Sequence, residues 1–203
     1  MKLYNSIGPN PRLVRLFAAE KGVPLFLVEV DIIAGENRKS AYLAINPTGT
    51  TPVLELDNGL RIAETTAICE YMEECVPLPA LIGGNELERA QTRMWWRRVD
   101  QKIVQPMTAG FRGAEGLELF QNRVACYPEA AQRYKQEARE GWRWLEVQVK
   151  ENDFICGQRR TAVDLLLLCF ADFGEQTGQP IPQECKYLQA WLMRMQEWCA
   201  GIE

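Results

Sequence analysis

The dipeptide Asn58-Gly59 stands between two short apolar runs, residues 53–56 and 60–63. Asn-Gly enters the left-handed backbone that a tight hairpin needs, so the two runs are expected to pair as antiparallel strands. That motif excludes an all-helical chain and puts a sheet early in the sequence. The flanking segments extend it. Residues 2–5 read as a strand, and residues 11–21 read as a helix with apolar side chains at 13, 14, 16, 17 and 18 and a stop at Gly22. Residues 25–30, Leu-Phe-Leu-Val-Glu-Val, read as a second strand. The β-α-β order implies a right-handed crossover and parallel pairing. The polar stretch 32–44 carries Gly35 and reads as loop with irregular helix, and a helix over 64–73 closes the unit.

Residues 76–84, Val-Pro-Leu-Pro-Ala-Leu-Ile-Gly-Gly, have the composition of a linker. Beyond them the pattern is helical at 86–109, 123–150, 161–176 and 183–200, which suggests a bundle. Thr161-Ala-Val-Asp164 is a capping pattern with Asp in place of Glu. The expected organisation is therefore an α/β domain at 1–75, a linker at 76–85 and an all-helical domain at 86–203.

Composition narrows the chemistry. The chain has 203 residues and no histidine, so Ser-His-Asp triads, Cys-His dyads and His-ligated zinc are closed to it. Seven cysteines without a C-x-x-C pair argue against a closed disulfide framework, a zinc ribbon or a dithiol redox motif, and reduced thiols in a cytoplasmic setting are expected. A net charge of -4 and a pI near 5.2 speak against general nucleic-acid binding. No apolar run approaches the roughly 20 residues of a membrane span, and the N-terminus turns polar at once, unlike a secretory signal. No metal, nucleic acid or membrane is expected as a partner.

Four stretches carry a resemblance to one family. Asn46-Pro-Thr-Gly-Thr-Thr-Pro-Val-Leu54 is similar to the loop N-P-x-G-x-V-P-x-L of glutathione transferases, with Thr51 where Val is usual. Glu64-Thr65-Thr66-Ala67-Ile68 is similar to their E-S-x-A-I pattern, with Thr65 for Ser. Gly157 with the Thr161–Asp164 box resembles their capped core helix, and Leu3-Tyr4 with Val14-Arg15-Leu16 resembles their first strand and helix. The resemblance implies a thioredoxin-like N-terminal domain followed by a helical bundle. It also implies glutathione as co-substrate and a homodimer that buries residues 64–75 against the partner's first bundle helices.

The resemblance also implies a site. Pro52 would be cis, turning the Thr51 backbone toward the ligand's cysteinyl unit. Thr65 would bind the γ-glutamyl carboxylate with its hydroxyl and N–H, and Glu64 would accept from the ammonium. Arg38 and Lys39 lie where family members hold the glycyl carboxylate. A thiol with a pKa near 8.5 is little ionised at neutral pH, so a donor must stabilise the thiolate. Gly8-Pro9-Asn10 resembles the T-P-N segment of the bacterial Nu class, which makes Asn10 the first candidate and Ser6 the second; Gly8 stands in the place of the Thr. The first strand is not followed by cysteine, which argues against chemistry through an enzyme sulfur. Trp95, Met107 and Phe111, with Trp96 and Arg112, are candidate walls for the second substrate. The run Arg93–Asp100 resembles that of bacterial β-etherases. The expected activity is glutathione transfer to a small apolar electrophile; disulfide reduction or peroxide reduction with glutathione, or a non-catalytic scaffold on this fold, are the alternatives.

Overall fold

A computed structural model describes residues 1–150 and 152–202. Strand β1 (Lys2–Asn5) runs into helix α1 (Pro9–Glu20) and returns as β2 (Phe26–Glu29). The two strands pair in parallel, with Leu3 opposite Leu27 and Asn5 opposite Glu29. A 3-10 turn (Glu36–Arg38) and the short helix α2 (Ser40–Leu43) occupy the polar stretch. The hairpin then forms from β3 (Val53–Glu55) and β4 (Arg61–Ala63), with the Leu56 N–H donating to the Leu60 carbonyl and Gly59 at φ 83°. The sheet order is β2-β1-β3-β4, with β3 antiparallel to both neighbours. Helix α3 (Thr65–Cys75) follows, so this first unit is thioredoxin-like.

The remainder is helical: α4 (Glu86–Val99), α5 (Gln105–Gly113), α6 (Leu117–Phe120), α7 (Ala131–Val149), α8 (Ala162–Gln176) and α9 (Lys186–Cys199). Helix α8 is buried from Ala162 to Ala171 on every face, as the central element of a bundle must be. The capping pattern at its start is real. The Asp164 carboxylate accepts from the N–H and hydroxyl of Thr161 at 2.8 and 2.9 Å, and also from Ile155 N–H and the Trp191 indole. One buried cluster runs from Leu3, Phe17 and Leu54 beneath the sheet to Leu167 and Trp191 in the bundle.

Three expectations need correction. The first helix begins at Pro9 rather than 11, with Gly8 as its cap residue. The expected single helix over 86–109 is interrupted by a π-helical turn, Asp100–Val104. Pro106 has no N–H to offer the Lys102 carbonyl four residues back, and the ring clashes with that carbonyl. The backbone widens there, with Gln105 N–H donating to Asp100 O. The widened turn lies against α7 at Gly141, where a Cβ would come within 2.1 Å of the Lys102 oxygen. Finally, the stretch expected to be helical from 123 onward starts only with a 3-10 turn at Pro128–Ala130.

A buried ion pair ties the linker segment to the sheet unit. Lys21, at the end of α1, pairs with Glu73 on α3, and both side chains are nearly inaccessible. The Lys21 ammonium also donates to the Val76 and Pro79 carbonyls at 2.8 and 2.6 Å. Glu73 in turn accepts from the backbone N–H groups of Leu81, Ile82 and Gly83. Five backbone polar groups of residues 76–83 are thereby satisfied without regular structure.

Candidate functional site

The strand register gathers the candidate residues at one end of the sheet. Tyr4 and Val53 are opposite each other, as are Val53 and Ala63. The residues just beyond them, Ser6 after β1, Thr51-Pro52 before β3 and Glu64-Thr65 after β4, therefore emerge at the same edge. Open α/β sheets bind ligands outside the carboxyl ends of their parallel strands, and β1 and β2 both end here. The Ser6 hydroxyl lies 2.6 Å from the Thr51 hydroxyl and reaches the Ile7 carbonyl at 3.1 Å. The Thr51-Pro52 peptide is cis.

The loop that carries Thr51 is held by its own side chains. Asn46 donates to the Thr50 carbonyl at 2.9 Å and accepts from the Thr48 N–H and hydroxyl. Tyr42 donates to the same Thr50 carbonyl at 2.8 Å, and burial pushes its hydroxyl pKa up to about 12, so it stays a donor. Asn37 donates to Gly49 O at 2.7 Å, which seats the 36–39 turn on this loop. Arg38 lies against the turn, and its Nε is buried without a hydrogen-bond partner. Lys39 is exposed beside it.

Two helix N-termini face this edge. In α1 the first three positions are Pro9, Asn10 and Pro11, so Asn10 carries the one backbone N–H among them. Its side chain is exposed. Asn10 is thus the second residue of the helix and not its cap. Gly8 has φ 113° and ψ 168°, a region that essentially only glycine enters. The sequence pattern sets a Thr there, but a Thr could not adopt this backbone, so Gly8 is a geometric requirement of the loop. In α3 the cap residue is Glu64, at φ 68° and ψ 126°, the one non-glycine residue with positive φ among those described. Its side chain makes no hydrogen bond at the cap and is exposed. With Thr65 it lines a cavity of about 370 Å³ against α4, where Arg93, Trp96 and Arg97 form the opposite wall. Arg93 is clamped by Glu70 through two bonds of 2.6 and 2.7 Å.

The three leading candidates for second-substrate walls line neither this cavity nor the one on α5. Met107 is fully buried in the core. Trp95 packs on Trp144, with ring centroids 5.9 Å apart. Phe111 stands in an aromatic cluster with Phe120 and Phe173. The groups that line a cavity on this helix are instead Gln105, Thr108, Ala109 and Arg112 on its other face, at spacings of three and four residues. Among the described residues there is no cluster of potential metal ligands and no helix long and apolar enough to cross a membrane. Among the described residues none of the seven cysteines forms a disulfide.

Comparison with known proteins bears on this site. The family model described as glutathione S-transferase, N-terminal domain, matches residues 7–75, and that described as glutathione S-transferase, C-terminal domain, matches residues 121–197. Glutathione S-transferase 2 of Saccharomyces cerevisiae is 33% identical over 205 residues, spanning 97% of this chain and 86% of that protein. Among solved structures, Gtt2 from Saccharomyces cerevisiae superposes with a TM-score of 0.90 at 31% identity, covering 97% of this chain and 96% of that one. A glutathione S-transferase domain-containing protein of Marinobacter aquaeolei gives 0.87 at 34% identity, covering 96% of each.

Proposed function

Because the chain belongs to the glutathione S-transferase family, we propose that it binds glutathione along the sheet edge where Ser6, Thr51 and Glu64 emerge and presents the thiolate to a small, largely apolar electrophile. The observation that carries this reading is Glu64. A non-glycine residue held at φ 68° costs of the order of 1–3 kcal/mol, and such strain concentrates at ligand sites. The strained turn leaves the Glu64 carboxylate exposed beside the free N–H groups of the first turn of α3. That pairing suits a zwitterionic γ-glutamyl end: Thr65 and the helix N-terminus take the carboxylate, and Glu64 takes the ammonium. The Thr51 backbone before Pro52 takes the cysteinyl unit, and Arg38 and Lys39 take the glycyl carboxylate.

The sulfur then falls to the start of α1. Asn10 offers its exposed side-chain amide beside a backbone N–H at a helix N-terminus, and hydrogen bonding with the dipole there lowers the thiol pKa. Ser6 is buried and already engaged with Thr51, which makes it the second choice. In the reaction the thiol proton leaves to solvent, the thiolate sulfur forms a bond to the electrophilic carbon, and the leaving group departs with the electron pair of its bond. Covalent attachment to the enzyme is not required. A homodimer in which α3 lies against the partner's α4 is also proposed. Its support is the charge complementarity of the exposed acid on α3, Glu74, to the exposed bases on α4, Arg97 and Arg98.

The test is the melting temperature with and without millimolar glutathione. A ligand at about 100 times its Kd adds about 2.7 kcal/mol, or roughly 5–11 °C for a chain of this size. Wild type should show the shift and Glu64→Ala should lose it. A wild type that glutathione does not stabilise would refute the binding reading. Asn10→Ala should then keep the shift while raising the pH at which turnover of an aryl halide is half-maximal.

A further inference from the structure

A second cavity lies beside the loop at 124–127, next to Arg123, which donates to the Ile32 and Ile33 carbonyls ahead of the Arg38 turn. It has a volume of about 270 Å³ and is lined by Gln105, Thr108 and Arg112 of α5, by Cys126 and Tyr127 of the following loop, and by Tyr134 of α7. That is slightly below the usual 300–1,000 Å³ of small-molecule sites, so it suits a single substituted ring. Its tyrosines supply flat apolar walls with hydroxyl edges. Its one cation is unusual in its surroundings. The Arg112 guanidinium rests over the Phe120 ring at 5.2 Å, which fixes its plane, and its Nε is buried without a hydrogen-bond partner. Among the described residues no carboxylate pairs with it, and the neighbouring acid, Glu115, is committed to Lys135. Burial holds Arg112 below its ordinary range, with Cys126 opposing and the charge of Arg38 adding to the effect. A half-buried cation is costly until an anion joins it, and a planar guanidinium is shaped for a carboxylate.

We propose that this cavity receives the second substrate and that its preferred occupant is a small aromatic electrophile bearing a negative charge, with Arg112 as the counter-ion. The assignment rests on the transferase reading above, and deepens it by naming the substrate class. It gives each of the two cations its own anion: Arg38 faces the glycyl carboxylate, and Arg112 faces the anion of the electrophile.

Binding and turnover test it separately. The probes are 4-nitrobenzoate and its neutral amide, titrated by ligand-observed NMR into the full chain as wild type, Arg112→Gln, Arg112→Lys and Glu64→Ala. Charge-assisted bonds predict that wild type binds the acid about tenfold or more tightly than the amide. Arg112→Gln should remove that preference while leaving the affinity for the amide unchanged, and Arg112→Lys should restore part of it. Glu64→Ala should retain it. In turnover with glutathione, the kcat/KM ratio of 4-chloro-3-nitrobenzoate to its amide should fall about tenfold in Arg112→Gln. Equal affinity for acid and amide, no binding of either, or a preference that survives Arg112→Gln would overturn the proposal. A preference that stands in a protein unmoved by glutathione would instead sink the transferase reading.

Discussion

Glu64 is the residue at which strain and binding meet, and replacing it separates the two. Glu64→Ala and Glu64→Gly both delete the carboxylate, which makes no cap hydrogen bond in the structure, so both should lose the glutathione shift equally. They differ in the backbone. Alanine must still adopt φ 68° and ψ 126°, whereas glycine enters that region freely. The strain relieved is about 1–3 kcal/mol. Against it stands the extra unfolded-state freedom of glycine, about 0.4–1 kcal/mol. The difference leaves Glu64→Gly more stable than Glu64→Ala by about 0.5–2 kcal/mol, or roughly 1–8 °C in Tm. Ligand-free urea unfolding of the three proteins, followed by circular dichroism, measures it directly. If Glu64→Gly is no more stable than Glu64→Ala, the position is not strained and the argument from strain to ligand site collapses.

Other outcomes follow from the packing. Glu73→Gln leaves Lys21 buried without a counter-charge, so thermal unfolding should show a loss of about 3–5 kcal/mol; a loss under 1 kcal/mol would mean the pair does not hold the linker. Gly141→Ala drives a methyl group into the Lys102 carbonyl and should cost about 1–3 kcal/mol or more in the same assay, whereas a neutral result would contradict the π-turn contact. Glu55 is held at a pKa of about 2, first by the hydrogen bond from Lys2 and then by Arg61. A depressed carboxylate contributes stability that is present above its ordinary range near 4.5 and is lost as pH falls toward 2. The stability advantage of wild type over Glu55→Gln should therefore shrink across that window in acid titrations, and a gap that stays constant would refute the assignment.

Much of this was legible without coordinates because local physics decided it. Asn58-Gly59 dictates a hairpin wherever two apolar runs flank it, and the β-α-β order dictates a parallel neighbour. The Thr161–Asp164 cap is equally local, since its bonds span three residues. What the cap pattern could not reveal is that the same carboxylate also anchors Trp191, 27 residues further on. The burial of Met107 was not legible for a related reason. Periodicity shows that Met107 and Phe111 share a face, but which face meets the core depends on α7 and α8, so Met107 is buried and Arg112, one residue beyond Phe111, lines the cavity.

Composition and motif spacing alone determined the class of the two parts of the chain and their order. Those are properties of short segments, where steric preference and hydrogen bonding leave little choice. The tertiary structure decided the rest. It set the register that brings Ser6, Thr51 and Glu64 to one edge, the backbone that makes Gly8 obligatory, and the burial that strands the charge of Arg112. Each depends on contacts between segments far apart in the chain, whose energies no local pattern records.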